Sequence, residues 1–258
     1  MIAVARPMHV VEHNALMFRR VWRGTLTTSF FTPIFFLAAM GLGLGSFVNR
    51  GAGGVGGVPY IDFLAPGLIA ATTMQTAAFE CMYPILGRIL WDKIYDATLS
   101  TPMRVADVLI GEVLWVLIRV TIVAVVFWIV MAAFGVAHTP RSLLVIPAAA
   151  LNGLAFATPI LAYTATQDRD AGFAVIGRFV ITPLFILGGA FFPLAKLPLA
   201  LQAVAWVTPL SHGVALCRDI VLGSMTPAGI LVHAGVLAAY TVAGLIAAWI
   251  TFVRRLAC

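Results

Sequence analysis

Long apolar stretches alternate with short polar segments along the chain of 258 residues. A helix needs about 20 predominantly apolar residues to cross the hydrocarbon core of a bilayer. We therefore predict an all-α polytopic membrane protein that forms a single transmembrane domain over residues 1–258. Six stretches have the required length, and the predicted transmembrane helices lie at about residues 25–47, 60–83, 108–135, 142–166, 173–192 and 229–253.

One further apolar stretch is too broken to cross the membrane. The sequence ILGGAFFPLAKLPLALQAVAWVTPLSHG covers residues 186–213 and contains Pro193, Pro198 and Pro209. Proline ends or kinks a helix because it has no backbone donor, and the piece between Pro198 and Pro209 is too short for a span. Residues 193–212 are therefore predicted to form a short outer re-entrant helical segment between spans five and six, either an external gate or a structural cap. The residues assigned to this outer gate are Phe191, Phe192, Pro193, Pro198, Gln202, Pro209 and His212.

Residues 9–23 have the pattern of an amphipathic helix that precedes the first span. Val11, Ala15, Phe18 and Trp22 recur at spacings of four, three and four residues and form one apolar stripe. Such a helix lies at the membrane interface with its basic face toward lipid headgroups or a partner protein. The stretch alone fits a generic membrane anchor equally well. The residues assigned to this interfacial helix are Phe18, Arg19, Arg20, Trp22 and Arg23.

A second amphipathic segment, over about residues 85–100, connects the second and third spans. Leu90, Ile94 and Ala97 mark an apolar face, and Pro102 prevents the helix from continuing. A short helix held rigidly at the membrane surface suits the transfer of force from a cytosolic partner. A simple connecting loop has the same pattern.

The composition indicates a membrane protein and excludes a soluble domain. Hydrophobic residues make up 62% of the chain, charged residues 10%, and the mean hydropathy is +1.03, whereas globular proteins average about 25% charged residues. The net charge of +6 does not indicate nucleic-acid binding, because the cations flank the spans. Eleven of them fall on one side and four on the other, so the positive-inside rule places both termini in the cytoplasm and the chain in the cell (inner or plasma) membrane. The eleven are Arg6, Arg19, Arg20, Arg23, Arg88, Lys93, Arg104, Arg169, Arg178, Arg254 and Arg255.

The sequence contains no motif of an enzyme or of a self-powered pump. A P-loop places a lysine after a glycine-rich turn, and neither Lys93 nor Lys196 has that context. We therefore assign no catalytic residue, cofactor or metal site to this chain. The histidines form no zinc motif, and the cysteines have no metal-ligand spacing. These residues are His9, His13, His138, His212, His233, Cys81, Cys217 and Cys258.

Three charged residues, Glu80, Glu112 and Arg119, fall within or near the second and third spans. A charge at the bilayer centre costs about 2.5–3.5 kcal/mol on insertion scales, so it usually faces protein or water. We expect Arg119 to reach toward Glu80 or Glu112 in the cytoplasmic half of the membrane. This intramembrane charge pair is either structural or part of a substrate gate.

Three segments together resemble the permease subunits of type-2 ABC exporters, most nearly those of the nodulation-factor export and daunorubicin-resistance branches. The segments read GRILWDKIYDATLSTPMRVADVLIGEVLW, NGLAFATPILAYTATQDRD and FVITPLFILGGAFFPLAKLPLALQAVAWVTPLSHGVALCRD. The resemblance covers roughly residues 10–255. Its most specific features are TP after the second span and G-x-F-F-P-L-x-x-L-P after the fifth.

The resemblance implies a dimer of permeases, either a homodimer or a heterodimer, which works with separate cytosolic ABC ATPase subunits among membrane lipids. ATP and Mg²⁺ would bind to the ATPase subunits, and the permease, itself no enzyme, would move a hydrophobic drug, a lipid or a lipid-linked saccharide outward. Residues 85–100 would be the coupling helix that docks on the ATPase. The ATPase-coupling residues implied are Leu90, Trp91, Asp92, Lys93, Ile94 and Asp96.

Two other classes stay open from the residues alone. An ion-coupled secondary transporter would favour several acidic residues at mid-membrane and unwound helices, and only Glu80 comes close. A lipid-processing membrane protein would need a recognisable catalytic set, which the sequence lacks.

Overall fold

The computed structural model describes residues 2–137, 139–224 and 226–256, so His138 and Cys258 lie outside the described residues. Within these ranges the chain is helical apart from short connections and an isolated antiparallel bridge between Val55 and Val58. The predicted all-α architecture is confirmed. The α-helices are α1 (Ile2–Phe36), α2 (Gly45–Ala52), α3 (Tyr60–Cys81), α4 (Tyr83–Leu90), α5 (Ile94–Leu99), α6 (Val105–Ala133), α7 (Val145–Ala165), α8 (Ala171–Ile176), α9 (Thr182–Leu187), α10 (Leu199–Val207), α11 (Pro209–Leu222) and α12 (Pro227–Leu256); π-helical turns cover Leu37–Leu44 and Gly177–Ile181, and 3₁₀ turns cover Pro140–Leu144 and Leu194–Lys196.

The first helix is longer than predicted. α1 continues into the π-helical turns Leu37–Leu44 and then into α2, so the interfacial helix over 9–23 and the first span form one helix rather than two elements. Their junction contains only Gly24 and no proline, and the backbone hydrogen bonds therefore continue across it. Pro33 lies just before the π-helical turns, and a proline removes one backbone donor from a helix.

The central helix of the fold is α3. Sixteen of its 22 residues are buried, and it packs against α6, α7 and α11. The chain reverses direction before α3 in a loop whose four glycines have positive φ, a conformation that glycine adopts at little cost. Asn49 then accepts a hydrogen bond from the backbone amide of Tyr60 at 2.9 Å and fixes the start of α3.

The segment between α3 and α6 forms two short helices, which corrects the prediction of a single coupling helix over 85–100. α4 ends at Leu90, and Lys93 has a left-handed backbone conformation with φ of 49°, which is uncommon for a residue with a side chain. The spacing of Leu90 and Ile94 suits one helix. The turn between them redirects α5 and brings Tyr95 into the protein interior.

Within the described residues, four helices are long and apolar enough to cross a membrane, and they correspond to the first, third, fourth and sixth predicted spans. α3 has the length of a span, but Asp62, Gln75 and Glu80 lower its hydropathy. In place of the predicted span 173–192 there is a shorter apolar helix over 171–187. The total of six spans therefore stays a prediction. The four candidate spans are Phe30–Gly51, Val105–Ala133, Pro140–Ala165 and Pro227–Leu256.

The proline-rich stretch folds into two helices that meet at a sharp angle. α10 lies between Pro198 and Pro209, and α11 follows it with a bend of 84°. By length and composition the pair is either a single span broken at the bend or a re-entrant loop. The sequence did not predict α11, which is largely buried and packs against α3, α7 and α12.

Candidate functional site

A buried carboxylate joins four helices at one end of the bundle. Glu112 of α6 is 1% exposed and accepts three hydrogen bonds. Arg88 of α4 donates at 2.6 Å, Tyr95 of α5 at 3.0 Å, and Asn14 of α1 at 3.1 Å. We call these four residues the Glu112 network. Because every donor comes from a different helix, the network ties α1, α4 and α5 to α6.

Local features of the sequence bring these groups together. Gly111, next to Glu112, has no side chain, and α1 approaches it so closely that a Cβ there would overlap Val10 and the carbonyl of Pro7. The left-handed turn at Lys93 points α5 back toward α6. A side chain at Gly111 would push α1 away from α6 and separate groups that a buried charge needs as partners.

Burial and the neighbouring charges together set the ionisation of Tyr95 and Arg88. Burial and the nearby Glu112 carboxylate raise the pKa of Tyr95 well above its ordinary value, although Arg88 acts against this. Tyr95 therefore stays protonated, and its hydroxyl group donates a hydrogen bond to the Glu112 carboxylate. Burial lowers the pKa of the Arg88 guanidinium, but Glu112 and Tyr95 outweigh that effect and the pKa is raised overall. Removing one partner of such a buried ion pair would leave the other charge buried without compensation.

A cavity of about 380 Å³ opens beside the Glu112 network. His9 and His13 of α1, Asp92 of the turn and Thr98 of α5 line it together with the network itself. The side-chain oxygen of Asn14 is buried there without a hydrogen-bond partner among the described residues. The cavity therefore lies between the N-terminal half of α1 and the connection from α4 to α5.

Two of the predicted coupling residues, Asp92 and Ile94, line this cavity, and the others lie next to them in the chain. Trp91 is 64% exposed, and Asp92, Lys93 and Asp96 are exposed with it. Leu90 and Ile94 are half-buried and attach the turn to the fold. The structure thus presents an exposed aromatic and charged turn directly above a buried ionic network.

The second charge cluster pairs Arg119 with Glu80. The guanidinium lies 2.7 and 2.9 Å from the Glu80 carboxylate and 4.3 Å from the ring centre of Phe18. Arg119 does not pair with Glu112, because the Glu112 carboxylate accepts hydrogen bonds from Asn14, Arg88 and Tyr95 instead. The cluster links α6 to α3 and to α1, and Phe18 also contacts Trp115 edge-on.

The other residues assigned to the interfacial helix lie at the surface. Arg19, Arg20, Trp22 and Arg23 are exposed, with Arg23 over the Trp22 ring at 5.7 Å. The buried face of α1 differs from the predicted stripe, because Ala15 and Trp22 are exposed and Asn14 is buried. The reason is the close approach of α1 to α6 at Gly111. From residue 6 onward, the buried positions of this half of α1 are Pro7, Val10, Val11 and Asn14.

At the opposite end of the bundle, Arg218 holds the loop after α9. Its guanidinium donates to the carbonyl of Gly189 at 2.8 Å and to that of Phe63 at 3.2 Å. It also lies 3.7 Å from the ring centre of Phe63. The sequence signal for this role is one arginine, next to Asp219, in the otherwise apolar run VALCRDIVL, where the charge pattern makes it one of the four cations of the outer side.

His212 forms a cluster that the sequence did not predict. Its Nδ1 lies 2.9 Å from Nδ1 of His233, and its Nε2 lies 3.0 Å from the carbonyl oxygen of Trp206. The cluster fixes the bend between α10 and α11 against α12. Among the described residues no group of three His, Cys, Asp or Glu side chains is arranged to hold a metal ion.

The remaining outer-gate residues are spread over the loop and α10. Phe191 packs against Phe36 and Phe185, and its carbonyl accepts a hydrogen bond from Tyr60 at 3.0 Å. Gln202 donates to the carbonyl of Leu197 at 2.7 Å. Phe192 and Pro193 line a surface cavity beside Phe191, Pro198 precedes α10, and Pro209 is buried at the start of α11.

Apolar helices of spanning length, tied together by buried ion pairs, define a multi-pass membrane protein. The family model for the ABC-2 type transporter matches residues 9–222, and the chain belongs to that family. Membrane subunits of this family are transport components that normally pair with an ABC ATPase subunit. The resemblance found in the sequence is thereby confirmed.

Individual relatives match over nearly the whole chain. Nodulation protein J of Rhizobium leguminosarum bv. viciae is 33% identical over 247 residues, which cover 96% of this chain and 93% of that protein. Nodulation protein J of Rhizobium leguminosarum bv. trifolii is 34% identical over 90% of this chain and 87% of its own length. The inner membrane transport permease YadH of Escherichia coli K12 is 26% identical over 90% of this chain and 88% of its own length.

Proposed function

We propose that this chain is the permease subunit of an ATP-driven exporter, with ATP and Mg²⁺ bound by a separate cytosolic ATPase. In the proposed complex two permease copies form a dimer in the cell membrane with both termini in the cytoplasm. α3 and the 171–187 helix act as the second and fifth of six spans, covered by the partner copy and lipid. The cargo is a hydrophobic or lipid-linked molecule. Nodulation protein J relatives and the family match support this proposal.

The Glu112 network is the observation that carries the proposal. The exposed turn at Trp91 and Asp92 offers a docking surface to an ATPase, and Arg88 and Tyr95 flank that turn on both sides. A displacement of the turn must move both donors, and through them Glu112. Since packed, hydrogen-bonded elements shift as units rather than deform continuously, α6 and α1 move with the turn.

The second charge cluster extends this linkage into the membrane. Arg119 lies two helical turns beyond Glu112 on α6, at about 1.5 Å rise per residue, and its bond to Glu80 attaches α6 to α3. A movement of α6 is therefore passed to the central helix. At the far end, Phe63 of α3 accepts a hydrogen bond from Arg218 of α11, which also binds the outer loop at Gly189. The loop and α10 are thereby mechanically connected to the ATPase side.

The proposal is tested by co-purification of the permease with a co-expressed ABC ATPase. Trp91→Ala should reduce the recovered ATPase at least about tenfold, since exposed tryptophans are frequent hot spots of interfaces. Trp249→Ala, an equally drastic change at an exposed position of α12, is the matched control and should leave recovery unchanged. Absence of any bound ATPase with the parent chain would refute the proposed function.

A further inference from the structure

Two histidines meet at the bend between α10 and α11, some way along the helices that surround it. His212 of α11 is 7% exposed, and His233 of α12 is half-buried. His233 lies about 9 Å from the start of α12 at 1.5 Å per residue. Next to His212, a Cβ on Gly213 would overlap the side chain of Asn152, which lies at a similar distance along α7. Ionisable residues at such depth in a membrane segment are rare and commonly belong to proton or ion pathways.

The hydrogen bonds of the pair define where its hydrogens lie in the uncharged state. The carbonyl of Trp206 can only accept, so Nε2 of His212 donates to it at 3.0 Å. In a neutral ring Nδ1 of His212 then carries the lone pair, and it accepts a hydrogen bond from Nδ1 of His233 at 2.9 Å. The uncharged pair therefore links α12 to the last turn of α10.

The number of protons on the pair decides whether this link survives. After one proton is taken up, one ring is an imidazolium that donates to the other ring, and the bond between the two Nδ1 atoms persists. After a second proton, both Nδ1 atoms carry a hydrogen, and two like charges face each other across 2.9 Å. Like charges this close disfavour each other, and a low dielectric strengthens the repulsion. The doubly protonated pair therefore cannot keep this geometry.

Few other charges act on the pair. The Asp219 carboxylate, two turns further along α11, acts electrostatically on His233 and accepts a hydrogen bond from Ser224 at 2.9 Å. α10 and α7 carry no charged residue. The other ionisable groups among the described residues of the elements around the bend are Tyr60, Asp62 and Glu80 of α3, Arg141 of the 3₁₀ turn, Tyr163 of α7, Cys217 and Arg218 of α11 and Tyr240 of α12.

α10 depends on its C-terminal end for attachment to the fold. All nine residues of α10 are described, and only Ala205 is buried. The Trp206 ring packs edge-on against His212 and parallel to His233. The carbonyl of Val207 accepts a hydrogen bond from Tyr240 of α12 at 2.6 Å. Loss of the histidine link would therefore leave α10 attached to α12 by the Tyr240 bond.

We infer that His212 and His233 form a proton site that controls the position of α10. With no proton or one proton added, the pair holds the bend against α12. A second proton separates the rings and releases the Trp206 end of α10. The inference goes beyond the proposed function, because it involves neither the ATPase nor the cargo.

The test is cysteine labelling of the full-length chain, with Cys258 replaced by serine, in lipid nanodiscs. Ala205→Cys places a thiol at the buried position of α10, and Ala203→Cys places one at an exposed position of the same helix. The ratio of their maleimide labelling rates cancels the effect of pH on the reaction itself. Between about pH 7.5 and about pH 5.0, where histidine titrates, this ratio should rise at least about fivefold and return when the pH is restored.

Two variants separate the proton site from a purely structural contact. In His233→Asn the amide can donate to His212 or accept from it but takes up no proton in this range. Its ratio near neutral pH should match the parent, and the rise in acid should be absent. Tyr240→Phe is the matched control, because it removes the other bond to α10 but no group that titrates in this range. It should raise the ratio at both pH values and keep the same relative rise.

Three results would overturn the inference. The first is a parent ratio that does not change with pH. The second is an equal rise in the parent and in His233→Asn. The third is a rise that does not reverse at neutral pH, since acid denaturation would then account for the labelling.

Discussion

Arg88 and Glu112 form a 2.6 Å ion pair between α4 and α6, with 14% and 1% of their side chains exposed. Removing one partner of a buried pair leaves the other charge uncompensated. We expect Arg88→Met to lower the free energy of unfolding by about 3–5 kcal/mol, as measured by denaturation in mixed detergent micelles. The double variant Arg88→Met with Glu112→Gln should recover much of the loss. Equal losses in the single and double variants would show that the pair contributes through packing alone.

Tyr95 should produce a characteristic loss of stability at high pH. Its pKa in the folded protein is raised above the ordinary value of 10.0, so its contribution is complete below pH 10 and declines as the unfolded chain ionises above it. Tyr95→Phe should therefore be less stable than the parent near neutral pH, because it lacks the bond to Glu112. The difference should narrow above about pH 10. Parallel thermal unfolding curves of the two proteins across this range check the prediction, and a constant difference would contradict it.

Arg119 and Glu80 should behave as a structural pair. Arg119→Met alone leaves Glu80 without its cation, and we expect a loss of about 3–5 kcal/mol in unfolding free energy and little export. Arg119→Met combined with Glu80→Gln should regain both folding and export. Recovery of folding without export would assign the pair to the substrate gate instead.

The orientation of the chain is testable by labelling introduced cysteines in intact cells. Cys81 and Cys217 are buried, so replacing Cys258 by serine removes the remaining native thiol that could react with the label. Lys196→Cys, at an exposed position before α10, should react with an impermeant maleimide from outside. Asp92→Cys, in the exposed turn between α4 and α5, should react only after the cells are opened. The reverse pattern would invert the proposed topology.

Prolines made some boundaries predictable from sequence. Pro198 and Pro209 bracket α10, because a proline cannot continue a helix from the preceding turn. The break at Lys93 had no such signal, since Leu90 and Ile94 keep helical spacing across it. There the tertiary bond between Tyr95 and Glu112 overrides the local pattern.

Contacts between distant residues also escaped prediction. Arg218 bonds Phe63 from 155 positions away, and His233 meets His212 only because α12 packs against α11. Hydropathy reports which segments are apolar but carries no information on which of them are neighbours. For that reason the sequence left both Glu80 and Glu112 as possible partners of Arg119. The burial of Asn14 was not predicted, because the spacing of the neighbouring apolar residues indicated a different buried face of the helix.

The most direct test of the account is transport into inside-out membrane vesicles that contain the permease and its ATPase. The rate of uptake of a labelled lipid-linked saccharide, lauroyl maltotriose, is measured with ATP, without ATP, and with a protonophore. The account predicts uptake that requires ATP, is lost in Trp91→Ala and is insensitive to the protonophore. Uptake without ATP that the protonophore abolishes would identify an ion-coupled transporter and contradict the account.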